Sequence, residues 1–285
     1  MSDDQIAGIR PDALAPAQIE TKAEAVGEVK AGMGTRQTFV LACLAGLFIG
    51  MGGMFMLLVK SDSTLPFATS QLLGGLAFSL GLFAVVMAGA ELFTGNSLMI
   101  CGRLSGRYSR RRLAHSWAVV YLGNLVGSLA LVLLLTLANF RGMNAGAVGV
   151  TAVTVAAAKI NQGWWVIFFR GVMCNVLVCL AVWMSFGART AVDKLCVVTL
   201  PVIAFVACGF EHCVANMFFL PMGLATMLSG VVPQGVDVSA LNLGGIIWNL
   251  SASTLGNLAG GVCIIGLSYW LAYASRDGEV VRDRA

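Results

Sequence analysis

The stretch CGFEHCVANMFFLPMG, residues 208 to 223, sets Glu211 beside His212, with Asn216 a helical turn further on, inside an otherwise almost wholly apolar run. A carboxylate, an imidazole and an amide are expensive in such surroundings, so they must satisfy one another or serve a polar permeant. Histidine has an unperturbed pKa near ~6.5 and exchanges protons under physiological conditions. An earlier stretch, AGAELFTGN (88–96), carries Glu91, Thr94 and Asn96 in similar company. The two share the pattern G-x-E-x-x-x-x-N, with Gly89, Glu91 and Asn96 matching Gly209, Glu211 and Asn216 at one constant offset.

A second repeated pair follows in the same order, YLGNLVGS (121–128) and TLGNLAGG (254–261), sharing L-G-N-L-x-G. Its glycines let helices approach closely, and Asn124 and Asn257 are placed to tie neighbouring helices by hydrogen bonds. The chain therefore reads as two homologous halves.

The elements that position these residues are membrane spans. Of 285 residues, 58% are hydrophobic and 11% charged, with a mean hydropathy of +0.84, whereas soluble domains carry about 25% charged residues. Charge-free or nearly charge-free runs cover 37–59, 63–90, 113–140 (His115 alone), 171–188, 195–210 and 238–275. A helix needs about 20 apolar residues to cross the hydrocarbon core. Six spans follow, three in each half, and an odd number inserts the halves in opposite orientation. Inverted repeats place the permeation path at their interface near the midplane, lined by discontinuous helices. The expected fold is thus an all-α polytopic membrane protein of two inverted three-helix repeats, with the second and fifth helices broken near Leu92–Asn96 and Gly209–Cys213. Glu91 and Glu211, each two residues after a glycine, are expected to accept hydrogen bonds from backbone N–H groups freed at the breaks, a structural role rather than proton carriage.

Residues 1–36 form a charged N-terminal segment with no basic region leading into a short apolar core, unlike a signal peptide. Within it, 17–33 reads either as an amphipathic surface helix or as a polar tail. The membrane domain spans 37–275, and 276–285 is a C-terminal tail. GRLSGRYSRRR (102–112) has five arginines and no acid, which marks it as cytoplasmic and, with six spans, puts both termini inside. Lys60, Arg141 and Lys159 then lie outside. The uncharged, Gly- and Ala-rich 142–158 is read as an extracellular connection, partly helical. The eight cysteines are scattered through apolar segments without a C-x-x-C pair, which suits packing rather than metal or redox chemistry. No cofactor is expected, the net charge of +4 carries no nucleic-acid signature, and no nucleophile–base pair points to an enzyme.

FEHCVANMFFLPMG, AGAELFTGN, YLGNLVGS, CNVLVCLAVWM and TLGNLAGG together resemble the formate/nitrite transporter family over roughly residues 30–275. The resemblance implies an inner-membrane homopentamer whose six-span protomers have an aquaporin-like fold and separate pores. It implies passage of small weak-acid anions: formate first, with nitrite and hydrosulfide as alternatives. Carried over, Phe78, Leu82 and Phe205 form an outer apolar constriction and Leu92 with Phe93 an inner one. Lys159 attracts anions at the outer mouth, Asn175 and Asn216 line a central chamber, and Thr94 with His212 are its polar pair, linking anion passage to protons. The partners so implied are small anions, protons and membrane lipids. Cys213 stands where many relatives carry serine. Arg170 departs from the apolar formate-type pattern toward nitrite-type members. A proton-coupled monocarboxylate symporter is the reading from another transport class.

Overall fold

The computed structural model describes residues 13–274. Residues 1–12, the C-terminal tail 276–285 and its arginines lie outside the described residues.

Helices α1 to α11 follow in chain order. α1 (Pro16–Gly32) starts on a proline at its first position and packs across one end of the bundle. The first half then comprises α2 (Thr35–Lys60), α3 (Phe67–Ala88), a break, a 3-10 turn (Gly95–Met99) running into α4 (Ile100–Leu104), and α5 (Arg110–Leu137). α6 (Ala147–Ile160) is a 14-residue connector, so the segment read as a partly helical connection is helical for most of its length. The second half comprises α7 (Trp164–Gly187), α8 (Ala191–Ala207), a break, α9 (Cys213–Leu228), and α10 (Leu243–Leu258), which continues through a π-helical stretch (Ala259–Gly266) into α11 (Leu267–Tyr273). α2, α3, α5, α7 and the composite Leu243–Tyr273 are each long and apolar enough to cross a membrane, while α8 and α9 make the fifth crossing together.

Chain breaks replace what hydropathy alone would read as continuous spans. Both begin at a glycine with positive φ, Gly89 at 72° and Gly209 at 68°, a region that a side chain makes costly. The next N–H folds back in matching fashion: Ala90 N–H reaches Val85 O, and Phe210 N–H reaches Phe205 O. The first break occupies Gly89–Thr94, slightly earlier than the expected Leu92–Asn96, because the left-handed glycine rather than the Thr-Gly pair stops the helix.

The L-G-N-L-x-G glycines seat α5 on α2 and α10 on α7. A Cβ at Gly127 would stand 1.9 Å from Cys43 O, and one at Gly260 would stand 2.2 Å from Val172 O. Any side chain there would force the helix pair apart. Around these contacts, one apolar core joins Phe78, Leu82, Leu92, Phe93, Phe205, Phe218 and Phe219 from both halves.

Candidate functional site

Each break is held by an asparagine in the same arrangement. Asn124 Oδ1 accepts from Phe93 N–H at 2.9 Å, while its Nδ2 donates to Glu91 O (2.9 Å) and Ala42 O (2.8 Å). Asn257 Oδ1 accepts from Cys213 N–H at 2.8 Å, while its Nδ2 donates to Glu211 O and Gly171 O, both at 2.8 Å. Glu91 N–H donates to Leu41 O and Glu211 N–H to Arg170 O. The asparagines, fully buried, thus satisfy the backbone groups that the breaks set free, the role expected of the glutamates.

The carboxylates do something else. Glu211 Oε1 takes an ion pair from Lys159 Nζ at 3.0 Å, and Oε2 accepts from Asn216 Nδ2 at 2.6 Å. Glu91 Oε1 takes Lys30 Nζ at 2.9 Å, and Oε2 accepts from Asn96 Nδ2 at 2.8 Å. Two nearly buried carboxylates are therefore each compensated by one lysine and by side-chain amides, Asn96 for Glu91 and Asn216 with Asn249 for Glu211. Lys30, on α1, is the first-half counterpart of Lys159, and sequence reasoning missed it. The signal existed: Lys30 and Lys159 are 129 residues apart, as are the acceptor pairs Leu41/Arg170 and Ala42/Gly171.

The two half-helices meet at their starts. Thr94 is the N-cap of the 3-10 turn and His212 the N-cap of α9, and Thr94 Oγ1 lies 2.8 Å from His212 Nε2. Both residues are buried. The Ala215 N–H donates to His212 Nδ1 at 3.1 Å. Because a backbone N–H can only donate, Nδ1 must accept, so the resting imidazole is neutral with its proton on Nε2, pointing at the Thr94 hydroxyl. Two helix N-termini, each a source of positive potential, thus converge on a neutral donor pair.

Cavities flank this pair. One, of about 190 Å³, is lined by Lys60, Lys159, Arg170, Glu211, Phe78, Phe205, Phe219 and His212. Phe78 and Phe205 meet edge to face at 5.8 Å, and the Phe205 ring lies 5.9 Å from that of His212. Leu82 is buried in the same core. The other cavity, of about 250 Å³, is lined by Lys22, Lys30 and Lys194 with Glu91, Leu92 and Asn96, and α1 covers it. The remaining predicted residues sit elsewhere. Phe93 stacks edge to face on Tyr121 at 5.0 Å instead of narrowing the inner cavity. Asn175 donates to Thr94 O, Ser97 Oγ and Asn257 O, and Asn216 to Glu211 and Asn249. Neither lines either of these two cavities; both brace the breaks from behind. Among the described residues, no three His, Cys, Asp or Glu groups cluster to hold a metal ion.

Two inverted three-helix repeats whose broken helices meet between two lysine-bearing cavities define a membrane channel protomer. The model of the formate/nitrite transporter family matches residues 17–271, and the chain belongs to that family. It is 38% identical over 273 residues to the formate channel FocA of Escherichia coli strain K12, covering 92% of this chain and 95% of that protein. It is 36% identical over 266 residues to the FocA of Haemophilus influenzae, covering 90% and 93%. Among solved structures, a pentameric formate channel with formate bound superposes with a TM-score of 0.77 at 40% identity, over 85% of this chain and 98% of that one. An ion channel of the same family superposes at 0.79 with 30% identity, over 90% and 98%.

Proposed function

We propose that the chain forms a homopentameric channel for formate in the inner membrane, with both termini cytoplasmic and passage linked to a proton at the Thr94–His212 pair. The observation that carries this reading is the 2.8 Å contact between the caps of the two half-helices, set between two cavities that each hold a lysine paired to a buried glutamate. The similarity to the FocA relatives supports formate as the substrate, and the positive-inside asymmetry of the arginines supports the orientation.

Lys159 and its neighbouring cations raise the anion concentration at the outer mouth. Moving inward past Phe78, Leu82 and Phe205, the anion loses water, and desolvation favours the protonated form of a carboxylate. The neutral acid can cross an apolar ring that repels the bare anion. At the centre, His212 Nε2–H donates to Thr94, which leaves the Thr94 hydroxyl free to donate to the permeant. His212 rests as a neutral hydrogen-bond donor with Nδ1 held by Ala215 N–H. In this scheme Nδ1 leaves that bond to take up a proton, and the Nε2 proton is then passed through the Thr94 hydroxyl to the anion, leaving the imidazole neutral again. The inner cavity, with Lys30, receives the anion symmetrically.

Competitive efflux of formate, nitrite and hydrosulfide from proteoliposomes tests the substrate. Formate should pass fastest; nitrite passing at least about tenfold faster than formate would move the chain to the nitrite-type members, with Arg170 at the outer cavity as the first residue to exchange.

A further inference from the structure

A third cavity, of about 340 Å³, opens between the first turns of α2 and α5, outside the permeation path. Arg111, Arg112 and His115 line it together with Lys30, and the buried hydroxyls of Thr38 and Ser116 are among its walls. No carboxylate is among its lining residues. The Lys30 amine is spent on Glu91 and Asn96. His115 uses one ring nitrogen on Thr35 Oγ1 at 3.0 Å. Both arginines are exposed, and among the described residues neither guanidinium makes an ion pair or hydrogen bond, whereas Arg107 nearby is paired to Glu24 and Glu28.

The cavity also sits at a defined depth. Just beyond it, α2 exposes Phe39, Val40 and Leu44, and α5 exposes Leu122, Val126, Leu129 and Leu133. Those apolar faces need lipid tails or the apolar face of a neighbouring protomer, which sets them in the hydrocarbon layer and the cavity where headgroups begin. Two unpaired guanidinium forks over a concave floor of hydroxyls, without a competing acid, suit a tetrahedral oxyanion that can take several charge-assisted bonds at once.

We propose that this cavity binds a phosphate group, either the phosphodiester of an anionic phospholipid or free phosphate. Arg111 and Arg112 grip its oxygens, and His115 lies at its rim. The site does not depend on the substrate assigned to the pore.

The test uses the delipidated pentamer in neutral detergent. Native mass spectrometry measures uptake of phosphatidylglycerol against phosphatidylcholine of the same chain length, and calorimetry measures binding of inorganic phosphate at fixed ionic strength. Wild-type protein should bind phosphatidylglycerol in preference, or inorganic phosphate, and the first result assigns a lipid while the second assigns a soluble ligand. In either case Arg111→Gln/Arg112→Gln should weaken binding at least about tenfold, while Arg141→Gln, at the opposite end of the bundle, should leave it unchanged. The charge-preserving Arg111→Lys/Arg112→Lys should fall between, and it serves as the test if the glutamine pair fails to assemble. Wild-type protein showing neither preference, or arginine variants binding as wild type does, overturns the proposal.

Discussion

Replacing Asn257 with alanine removes three hydrogen bonds at once, to Gly171 O, to Glu211 O and from Cys213 N–H, each 2.8 Å long. The side chain is fully buried, and the orphaned groups have no water to turn to. Hydrogen bonds between membrane helices contribute about 0.6–1.7 kcal/mol each, so the variant should lose about 2–5 kcal/mol. Asn124→Ala removes the equivalent three bonds, of 2.8 to 2.9 Å, and should lose a similar amount. The assay is reversible unfolding in mixed micelles with increasing denaturing detergent, following intrinsic tryptophan fluorescence. Because the lost groups are those that hold the breaks open, residual formate flux should fall further than folded protein does. A loss below about 1 kcal/mol in either variant, or one asparagine dispensable while its counterpart is not, would refute the pseudo-symmetric account of the breaks.

Lys159→Glu places two carboxylates within reach of each other where the 3.0 Å ion pair to Glu211 stood; anion influx should drop, and the deficit should shrink as salt shortens the screening length below ~10 Å. Lys30→Glu should do the same for efflux, which flux measured from each side of oriented vesicles would reveal. Glu20 on α1 is pushed up to about 7 by burial and by the adjacent Glu24. The folded form therefore holds its proton more tightly than the unfolded chain, and docking of α1 should weaken as pH rises from about 4.5 to about 7 and then level off. Protection of the amides across residues 16–32, taken relative to the intrinsic exchange rate at each pH, should be lower at pH 8 than at pH 5, and Glu20→Gln should abolish that difference in protection.

Much of this architecture was legible in the residues. The repeats G-x-E-x-x-x-x-N and L-G-N-L-x-G located both breaks and both close helix contacts, because a glycine's freedom and a missing Cβ act locally. What spacing cannot say is which partner a buried polar group reaches across the fold. Asn257 spans 86 residues to Gly171 and 46 to Glu211, so its role as keeper of the break emerged only in three dimensions, and the glutamates had been given that work. Lys30 was overlooked because the segment carrying it could equally have been a polar tail. Its partner Glu91 lies 61 residues further along the chain, in the break. The family resemblance implies a place in the chamber for Asn175 and Asn216, yet each spends its amide N–H on main chain or carboxylate behind it.

The most direct test of proton-linked passage is formate flux by wild type and His212→Asn across a pH series, in proteoliposomes carrying a pH-sensitive dye. An amide of similar size can cap α9 and bond Thr94, so the variant should assemble as a pentamer on a sizing column. It cannot exchange a proton near neutrality, so it should lose most of the pH dependence of flux and the proton movement that accompanies formate. A well-assembled His212→Asn pentamer with wild-type pH dependence and wild-type proton movement would leave His212 as a helix cap only and contradict the account.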